Sequence, residues 1–339
     1  MLKGYALAAA LVVAAHAILA GSDALWGELY RLSVPTRDDA LRVAANVKLA
    51  GAAGGKQTVV LIGSSQARED FDVHFLDERF SDKRQFVNLG ISGTGSPIYM
   101  YMLTPRIVDM DPDLVIYMPF IGSVFRPYAY RTFDIYFNPN VLPLIQSLYG
   151  WGELLGHADE IAMGLLGEAS DLFRYRNSLQ HMVKDAEWRW LRGAPPKQPQ
   201  QFAYNERKPE RHFQSMIRAH KDNPRYRVHR YLPLTEAAFD SMLRAFEERD
   251  IPVLVVDGPT HPLIRHIYDP SLDASYAEFM NAATAAHGFT HLEAGDLPRF
   301  RDEDFNDFTH LGDSGRARFN AFIADYLEEN ADRLGLGGR

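Results

Sequence analysis

Two adjacent serines follow directly on a strand-like run of β-branched and aliphatic residues. The stretch reads TVVLIGSSQARED from Thr58 to Asp70, so Ser64 and Ser65 stand between the apolar run and a helix-prone segment. A serine in this position can cap the N-terminus of a helix. A serine hydroxyl can also act as a nucleophile when a neighbouring base takes its proton. The stretch alone leaves both interpretations open.

A candidate base stands near the other end of the chain, in NDFTHLGDSGRARF (306–319). Asp307 and His310 are three residues apart, so one turn of chain can place them on the same side. A carboxylate there can accept a hydrogen bond from the Nδ1–H group of the imidazole. This bond fixes the tautomer and leaves Nε2 free to act as a base. The alternative is an ordinary first turn of a helix, with acidic residues and an exposed histidine.

A third candidate stretch is VNLGISGTGS (87–96), which contains Gly90, Gly93 and Gly95. Because glycine has no Cβ atom, the backbone can approach a ligand closely there and present its N–H groups. The alternative is a tight loop in which the glycines only make a turn.

Five strand-like apolar runs alternate with helix-like segments along the chain. The runs cover 58–63, 86–90, 113–118, 251–258 and 288–295. Strand–helix alternation with continuous apolar runs predicts a parallel sheet covered on both faces, in a flavodoxin-like three-layer α/β/α domain. In such sheets ligands bind beyond the carboxyl ends of the strands, and the three candidate stretches are expected at those ends.

The alternation is interrupted between 119 and 233, which predicts a long, mainly helical cap insertion. Within it, residues 174–230 hold 14 Lys or Arg against 5 Asp or Glu, although the whole chain has a net charge of −8. We expect a basic face here that meets an anionic membrane or polymer. The alternative is that its arginines pair with the acidic body of the domain. An acidic chain is not expected to bind nucleic acid.

The N-terminus carries an uncharged run of 18 residues (4–21) behind Lys3. A run of this length predicts a single-pass transmembrane helix over 1–26, although small residues also permit its cleavage as a signal peptide. Either interpretation places the rest of the chain in the periplasm or outside the cell. A linker helix is expected over 27–56, and the main domain over 57–339 with its insertion.

The three candidate stretches together resemble the sequence blocks of the SGNH (GDSL-type) hydrolase superfamily, over about 57–123 and 234–328. The superfamily has a Gly-x-Ser block after its first strand and an Asp-x-x-His block near its end. The resemblance implies that Ser65 is the nucleophile, with Asp307 and His310 completing a catalytic triad.

The resemblance also implies an oxyanion hole, formed by the backbone N–H groups of Ser65 and Gly93. Most members of the superfamily add an asparagine after the third strand. That asparagine is missing, since the region reads YMPFIGSVF (117–125). Gly122 or Ser123 is a candidate replacement donor.

Two finer details, GSS at the nucleophile and DxxHLGxxG in the last block, are similar to DltD-type D-alanyl transfer proteins and related alginate-acetylation proteins. This resemblance implies a membrane-anchored enzyme that transfers or removes an acetyl or D-alanyl type group on a cell-surface polymer through an acyl-serine. It implies a membrane-bound O-acyltransferase as partner, and we expect no cofactor and no metal. A simple carboxylester hydrolase and a non-catalytic scaffold are the alternatives.

Three further residues are weaker candidates for binding substrate. Arg126 and Arg131 open the insertion and can hold an anionic group, although exposed arginines are commonly only solvated. His261, in DGPTHPLIRH, follows a strand end and can line the cleft. The alternative, which the neighbouring prolines favour, is that it shapes this loop.

Overall fold

The three-dimensional structure is a computed structural model, and the chain divides into two compact units. The first unit combines Met1–Ala52 with Ala129–Phe202, and the second combines Ala53–Tyr128 with Ala203–Arg339. The predicted insertion therefore contributes residues to both units. The structure describes residues 21–36, 39–50, 55–81, 83–93, 96–124, 136–192, 207–220, 232–263 and 270–337.

The second unit is built on a wholly parallel sheet. Its strands are β1 (Gln57–Gly63), β2 (Arg84–Asn88), β3 (Leu114–Met118), β4 (Val253–Val256) and β5 (Thr290–Leu292). They lie in the order β2-β1-β3-β4-β5, which is the flavodoxin-like doubly wound order. The predicted α/β fold with a parallel sheet is confirmed.

Helices occur in both units within the part of the chain that the structure describes. Numbered along the chain, they are α1 (Asp23–Thr36), α2 (Asp39–Ala50), α3 (Ser65–Asp70), α4 (Val73–Phe80), α5 (Pro97–Val108), α6 (Ile121–Val124), α7 (Val141–Tyr149), α8 (Trp151–Gly156), α9 (Ala158–Ala169), α10 (Asp171–Arg174), α11 (Arg176–Arg192), α12 (Glu210–His220), α13 (Leu232–Glu247), α14 (Pro270–Ala286) and α15 (Asp313–Glu329). A short 3-10 helix spans Asp302–Asp304.

Both faces of the sheet are covered, because alternate strand residues point to opposite sides and each side meets helices. On one side, Val59 of β1 and Ile116 of β3 share a core cluster with Phe319 of α15. On the other side, Tyr117 of β3 packs against Phe239 of α13, with ring centroids 5.7 Å apart. Burial on two sides explains why the strand sequences are continuously apolar.

The first unit has a separate core in which the N-terminal helices take part. Trp26 and Leu41 are buried with Tyr175 in one cluster. The rings of Trp26 and Tyr175 meet edge-on, with centroids 6.0 Å apart. Trp26, which the sequence places at the end of the predicted anchor, therefore packs within this unit.

No helix among the described residues is long and apolar enough to cross a membrane. Residues 1–20, which hold nearly all of the uncharged run, lie outside the described residues. The N-terminal transmembrane helix therefore stays a prediction.

Arg174, the first residue of the predicted basic segment, is buried and does not contribute to a basic face. Its Nε donates to the carbonyl oxygen of Gly167 at 2.9 Å, and its Nη1 donates to that of Phe137 at 3.2 Å. The guanidinium also pairs with Glu168. The expectation was wrong for this residue, because a buried charge is tolerated where a carboxylate and carbonyl groups satisfy it.

Gly63 ends β1 in a conformation and a space that suit only glycine. Its φ is +144°, in the region that L residues rarely adopt. A Cβ atom at this position would lie 2.2 Å from the backbone oxygen of Met118 and 2.9 Å from Cβ of Ala67. This glycine therefore allows β1 to turn sharply into the two serines.

We expect Gly63→Ala to lower the free energy of unfolding by at least about 2 kcal/mol, because the methyl group must displace the β3 backbone while φ stays strained. Gly295→Ala is the matched control, since no atom lies within 4 Å of its Cβ position. Urea unfolding of both variants and the parent measures the difference. Equal urea midpoints for the two variants contradict the claim that the turn at the end of β1 requires glycine at position 63.

Candidate active site

The two serines have different places in the structure, and each suits one of the two interpretations of the stretch. Ser64 is the N-cap residue of α3, and its buried Oγ accepts from the N–H of Gln66 at 3.2 Å. Ser65 is the first residue of α3, and its Oγ lies 2.8 Å from Nε2 of His310. Capping therefore uses Ser64 and leaves the hydroxyl of Ser65 to face the imidazole.

His310 bridges Ser65 and Asp307. Its Nδ1 lies 2.9 Å from Oδ2 and 3.0 Å from Oδ1 of Asp307, while its Nε2 faces Ser65. A carboxylate can only accept, so Nδ1 carries a proton, and in the neutral ring Nε2 accepts from the serine hydroxyl. The structure thus brings the three predicted residues into the hydrogen-bond chain of a Ser-His-Asp triad.

Asp307 is held by the backbone of its own loop. Its Oδ1 accepts from the N–H of Thr309 at 2.9 Å and from that of His310 at 3.0 Å. Helix α15 begins only at Asp313, so the alternative of an ordinary first helical turn does not apply. The side chains of Asp307 and His310 are 19% and 15% exposed, which leaves them shielded but within reach of solvent.

Burial disfavours the charged form of His310 and of Asp307, but their mutual attraction is stronger. The hydrogen bond and charge of Asp307 outweigh burial and raise the pKa of His310 to about 9. Burial is likewise outweighed at Asp307, where the hydrogen bond and charge of His310 and two backbone N–H groups lower the pKa to about 2. The site therefore favours an imidazolium beside a carboxylate, the charge state that forms when His310 takes the serine proton.

A second carboxyl group, that of Asp70, lies at the end of α3 and interacts with His310. Asp70 is fully buried, and its Oδ1 accepts from the N–H of Leu311 at 2.9 Å. Burial raises the pKa of Asp70 to about 8, although the charge of His310 and the bond from Leu311 oppose the shift. This bond ties the helix that begins at Ser65 to the residue that follows His310.

The loop after β2 lies against the start of α3. The side chain of Asn88 donates to a carbonyl oxygen of α3 at 2.8 Å, and the N–H of Gly90 donates back to Asn88 at 2.9 Å. A Cβ atom on Gly90 would lie 2.4 Å from the backbone nitrogen of Arg68, so this approach requires glycine. The N–H of Ile91 donates to the backbone oxygen of Gly63 at 2.9 Å. This bond holds the loop next to the turn that leads from β1 into the two serines.

The other predicted oxyanion donors lie in the segments after β2 and β3. Gly93 is exposed, with a φ of +72° and no atom within 4 Å of its Cβ position. Gly122 is buried in α6, and Ser123 follows it there. The role of these residues and of the Ser65 N–H as donors in an oxyanion hole stays a prediction. Arg126 and Arg131 lie outside the described residues.

His261 is enclosed by aromatic rings and supports the loop that carries Asp307. Its side chain is 2% exposed, and its ring centroid lies 4.9 Å from that of Phe213 and 5.8 Å from that of Phe308. Its Nδ1 accepts from the N–H of Leu263 at 3.1 Å, and burial lowers its pKa. These contacts favour the interpretation that His261 shapes this region and does not bind substrate.

Gln66 and Asp70 are buried polar residues near Ser65 that the sequence analysis missed. Nε2 of Gln66 donates to the oxygen of Pro259 at 2.6 Å, and a Cβ atom on Gly258 would lie 2.6 Å from Oε1 of Gln66. The charged stretch they belong to is typical of a solvated helix. The only sequence signal for Gln66 and Asp70 was that their stretch follows the candidate nucleophile directly.

The chain has little similarity in sequence to known proteins. No protein-family model and no curated protein sequence matches it. Among solved structures, the crystal structure of TesA is similar to the chain at 13% sequence identity and a TM-score of 0.39, covering 80% of this chain and 99% of that chain. A likeness of this size says nothing about activity, so function has to be judged from the geometry of the site.

We expect the reactivity of Ser65 to rise with pH through the pKa of His310, because only the neutral ring can take the serine proton. That pKa is raised to about 9, so the midpoint should lie well above the ordinary histidine value of about 6.5. Asp307→Asn removes the stabilising charge and should lower the midpoint. The rate of labelling by a fluorophosphonate probe, followed against pH, measures both. A midpoint at or below the ordinary value in the parent contradicts the electrostatics described above.

We expect Asp70→Asn to stabilise the fold, and to do so increasingly as pH rises. Because burial raises the pKa of Asp70 from 3.8 to about 8, unfolding releases a proton between these two values. The parent therefore loses stability as pH rises through this window, whereas asparagine does not ionise. Asparagine also keeps an acceptor for the N–H of Leu311.

Asp70→Leu is the matched comparison, because it removes that acceptor. A buried N–H left without a partner costs about 1–3 kcal/mol, so this variant should be less stable than Asp70→Asn at either pH, although it too escapes the ionisation that destabilises the parent. Urea unfolding of the three proteins, at a pH near 5 and a pH near 8, measures the effect. The account of Asp70 is wrong if the gain for Asp70→Asn is the same at both pH values.

Proposed function

We propose that this chain is a serine acyltransferase or esterase of the SGNH type, anchored in the membrane and acting outside the cytoplasm. The observation that carries the proposal is the relay from Ser65 through His310 to Asp307, with contacts of 2.8 Å and 2.9 Å. The place of Ser65 at the carboxyl end of a parallel strand supports it further. The uncharged run over 4–21 supports the location.

In the proposed first half-reaction, Oγ of Ser65 attacks the carbonyl carbon of an ester or thioester while Nε2 of His310 takes its proton. The carbonyl oxygen becomes negative and is held by the N–H groups of Ser65 and Gly93. As the tetrahedral intermediate collapses, His310 gives the proton to the departing alcohol or thiol. Asp307 stabilises the imidazolium between the two proton transfers, and the product is acyl-Ser65.

The second half-reaction passes the acyl group on, with His310 again acting as the base. In an esterase the acceptor is water, and in a transferase it is a hydroxyl group of a cell-surface polymer. We favour transfer of an acetyl or D-alanyl type group, supplied with the help of a membrane-bound O-acyltransferase. This choice rests on the sequence resemblance and on the uncharged N-terminal run.

The absence of an asparagine from the segment 117–125 bears on the rate of both half-reactions. One oxyanion donor typically contributes about 2.7–4 kcal/mol to lowering the barrier. A hole with fewer donors should slow attack on acyl-Ser65 by water and by a polymer hydroxyl alike, so transfer depends on a bound hydroxyl being positioned next to the acyl group. Fast hydrolysis of simple acetyl esters by the chain alone would favour the esterase.

We expect Ser65→Ala to abolish labelling by a fluorophosphonate probe, and to lower any release of p-nitrophenol from p-nitrophenyl acetate by about a thousandfold or more. The fold should be retained, because the helix cap is made by Ser64. Loss of the nucleophile leaves only binding and oxyanion contacts to accelerate the reaction.

Ser64→Ala is the matched control for this prediction. It removes the cap and should lower the free energy of unfolding by about 1 kcal/mol, while labelling continues. Labelling and turnover by the full chain, compared with thermal unfolding, separate the two effects. Labelling that survives in Ser65→Ala, or disappears only in Ser64→Ala, would contradict the proposed nucleophile.

A further inference from the structure

The first unit exposes large apolar side chains on three consecutive helices. They are Leu148 of α7, Trp151 and Leu155 of α8, and Leu165 and Leu166 of α9, together called the apolar face. Helix α8 contacts both α7 and α9, so these residues stand on adjoining helices. Trp151 is 68% exposed and Leu155 is 72% exposed, which is unusual for side chains of this size.

Helix α9 exposes its apolar residues along one side. A stripe of exposed apolar residues follows one side of the helix, at Ala158, Ala162, Leu165, Leu166 and Ala169. The buried positions of α9 are glycines, Gly164 and Gly167. A Cβ atom on Gly164 would lie 2.5 Å from the ring of Phe137, so the helix packs through its smallest residues. The larger side chains are thereby directed away from the interior.

The charged residues within α7, α8 and α9 are acidic, and none is basic. No Lys or Arg occurs between 136 and 173. Glu168 pairs with the buried Arg174, and Glu160 lies 3.7 Å from His157. The surface can therefore be recognised by its apolar character and not by positive charge. Exposed apolar surfaces of this kind mark interaction sites.

The N-terminal run favours a lipid bilayer as the surface that the apolar face meets. The run over 4–21 has 18 uncharged residues, which is long enough to cross a bilayer. Only a few residues further on, Trp26 is buried in the core of this same unit. Even a fully extended chain from Gly21 to Trp26 spans no more than about 18 Å. A run that crosses the bilayer therefore holds the first unit against the bilayer surface.

We propose that the apolar face rests in the interfacial layer of the lipid bilayer. Trp151 is suited to the headgroup level, where its ring is half in an apolar medium, and the leucines are suited to the start of the acyl chains. The N-terminal run and the apolar face are then two membrane contacts of one unit. The inference rests on the membrane anchor of the proposed function, but not on Ser65 or on the proposed reaction.

This contact differs in its physical basis from the basic face expected from the sequence. An electrostatic contact with anionic lipid weakens as salt rises, because exposed charges are screened. Burial of apolar surface does not depend on that attraction. Membrane contact by the apolar face should therefore persist at high salt.

The test uses single-cysteine variants of the full chain, which has no cysteine of its own. Leu155→Cys and Leu166→Cys place an environment-sensitive NBD fluorophore on the apolar face. Glu248→Cys is the control, since it stands in an exposed charged stretch (247–250) of the second unit. Each labelled chain is reconstituted in vesicles of phosphatidylethanolamine and phosphatidylglycerol, with and without nitroxide-labelled lipid, at low and high salt.

We expect both labels on the apolar face to show blue-shifted emission that nitroxide lipid quenches at either salt concentration. The label at Glu248→Cys should show neither effect. Emission from either face label that stays typical of water overturns the proposal, and points to a protein partner that the vesicles lack. A blue shift that nitroxide lipid does not quench also overturns it, because a second copy or residues 4–21 then cover the face.

Thermal unfolding midpoints of the labelled variants that equal that of the parent show that the labels leave the fold intact. This result is expected for exposed positions. Leu148→Cys gives a third reporter on the same face.

Discussion

The contact between Nε2 of His310 and Oγ of Ser65 joins residues 245 positions apart, and it depends on the parallel arrangement of the sheet. In a parallel sheet all strands end at the same edge, so the corner after β1 and the loop before α15 can meet there. Gly63 sharpens the corner, and its φ of +144° together with the nearby backbone of Met118 admits no larger residue. Gly63 and the parallel direction of the strands thus determine where Ser65, the candidate nucleophile, lies.

Buried hydrogen bonds then fix the two sides of the site to each other. Asn320 of α15 donates to the backbone oxygen of Asp70 at 2.7 Å and accepts from the N–H of Asp72 at 2.8 Å. The carboxyl group of Asp70 in turn accepts from the N–H of Leu311. These bonds connect the helix of Ser65 with α15 and with the loop of His310. A candidate triad held in this way needs little rearrangement before reaction.

Much of the second unit could be predicted from the sequence, because its signals are local. Continuous apolar runs predicted all five strands, and the spacing of Asp307 and His310 predicted their contact, since three residues of chain cannot separate them widely. The pairing of His310 with Ser65 was implied by the resemblance to the SGNH hydrolases. The family resemblance implied Ser65 as the nucleophile, but only the structure shows that Ser64 caps the helix while the hydroxyl of Ser65 faces His310.

The features that could not be predicted are those that depend on burial by distant segments. The charged stretch after Ser65 looks solvated, yet Asp70 is fully buried. Arg174 looks like part of a basic face, yet carbonyl groups and Glu168 enclose it. The apolar surface on α7, α8 and α9 escaped notice because a sequence does not show which side of a helix packs inward, and glycines at the packed side of α9 reverse the usual pattern.

The central claim is that Ser65 carries the acyl group. The most direct measurement is a brief incubation of the full chain with p-nitrophenyl acetate, followed by acid quenching and peptide mapping by mass spectrometry. The account predicts an acetyl group on the hydroxyl of Ser65, and none on that of Ser64. An acetyl group on another residue, or release of product without any acyl-Ser65 under conditions that trap such intermediates, would contradict it.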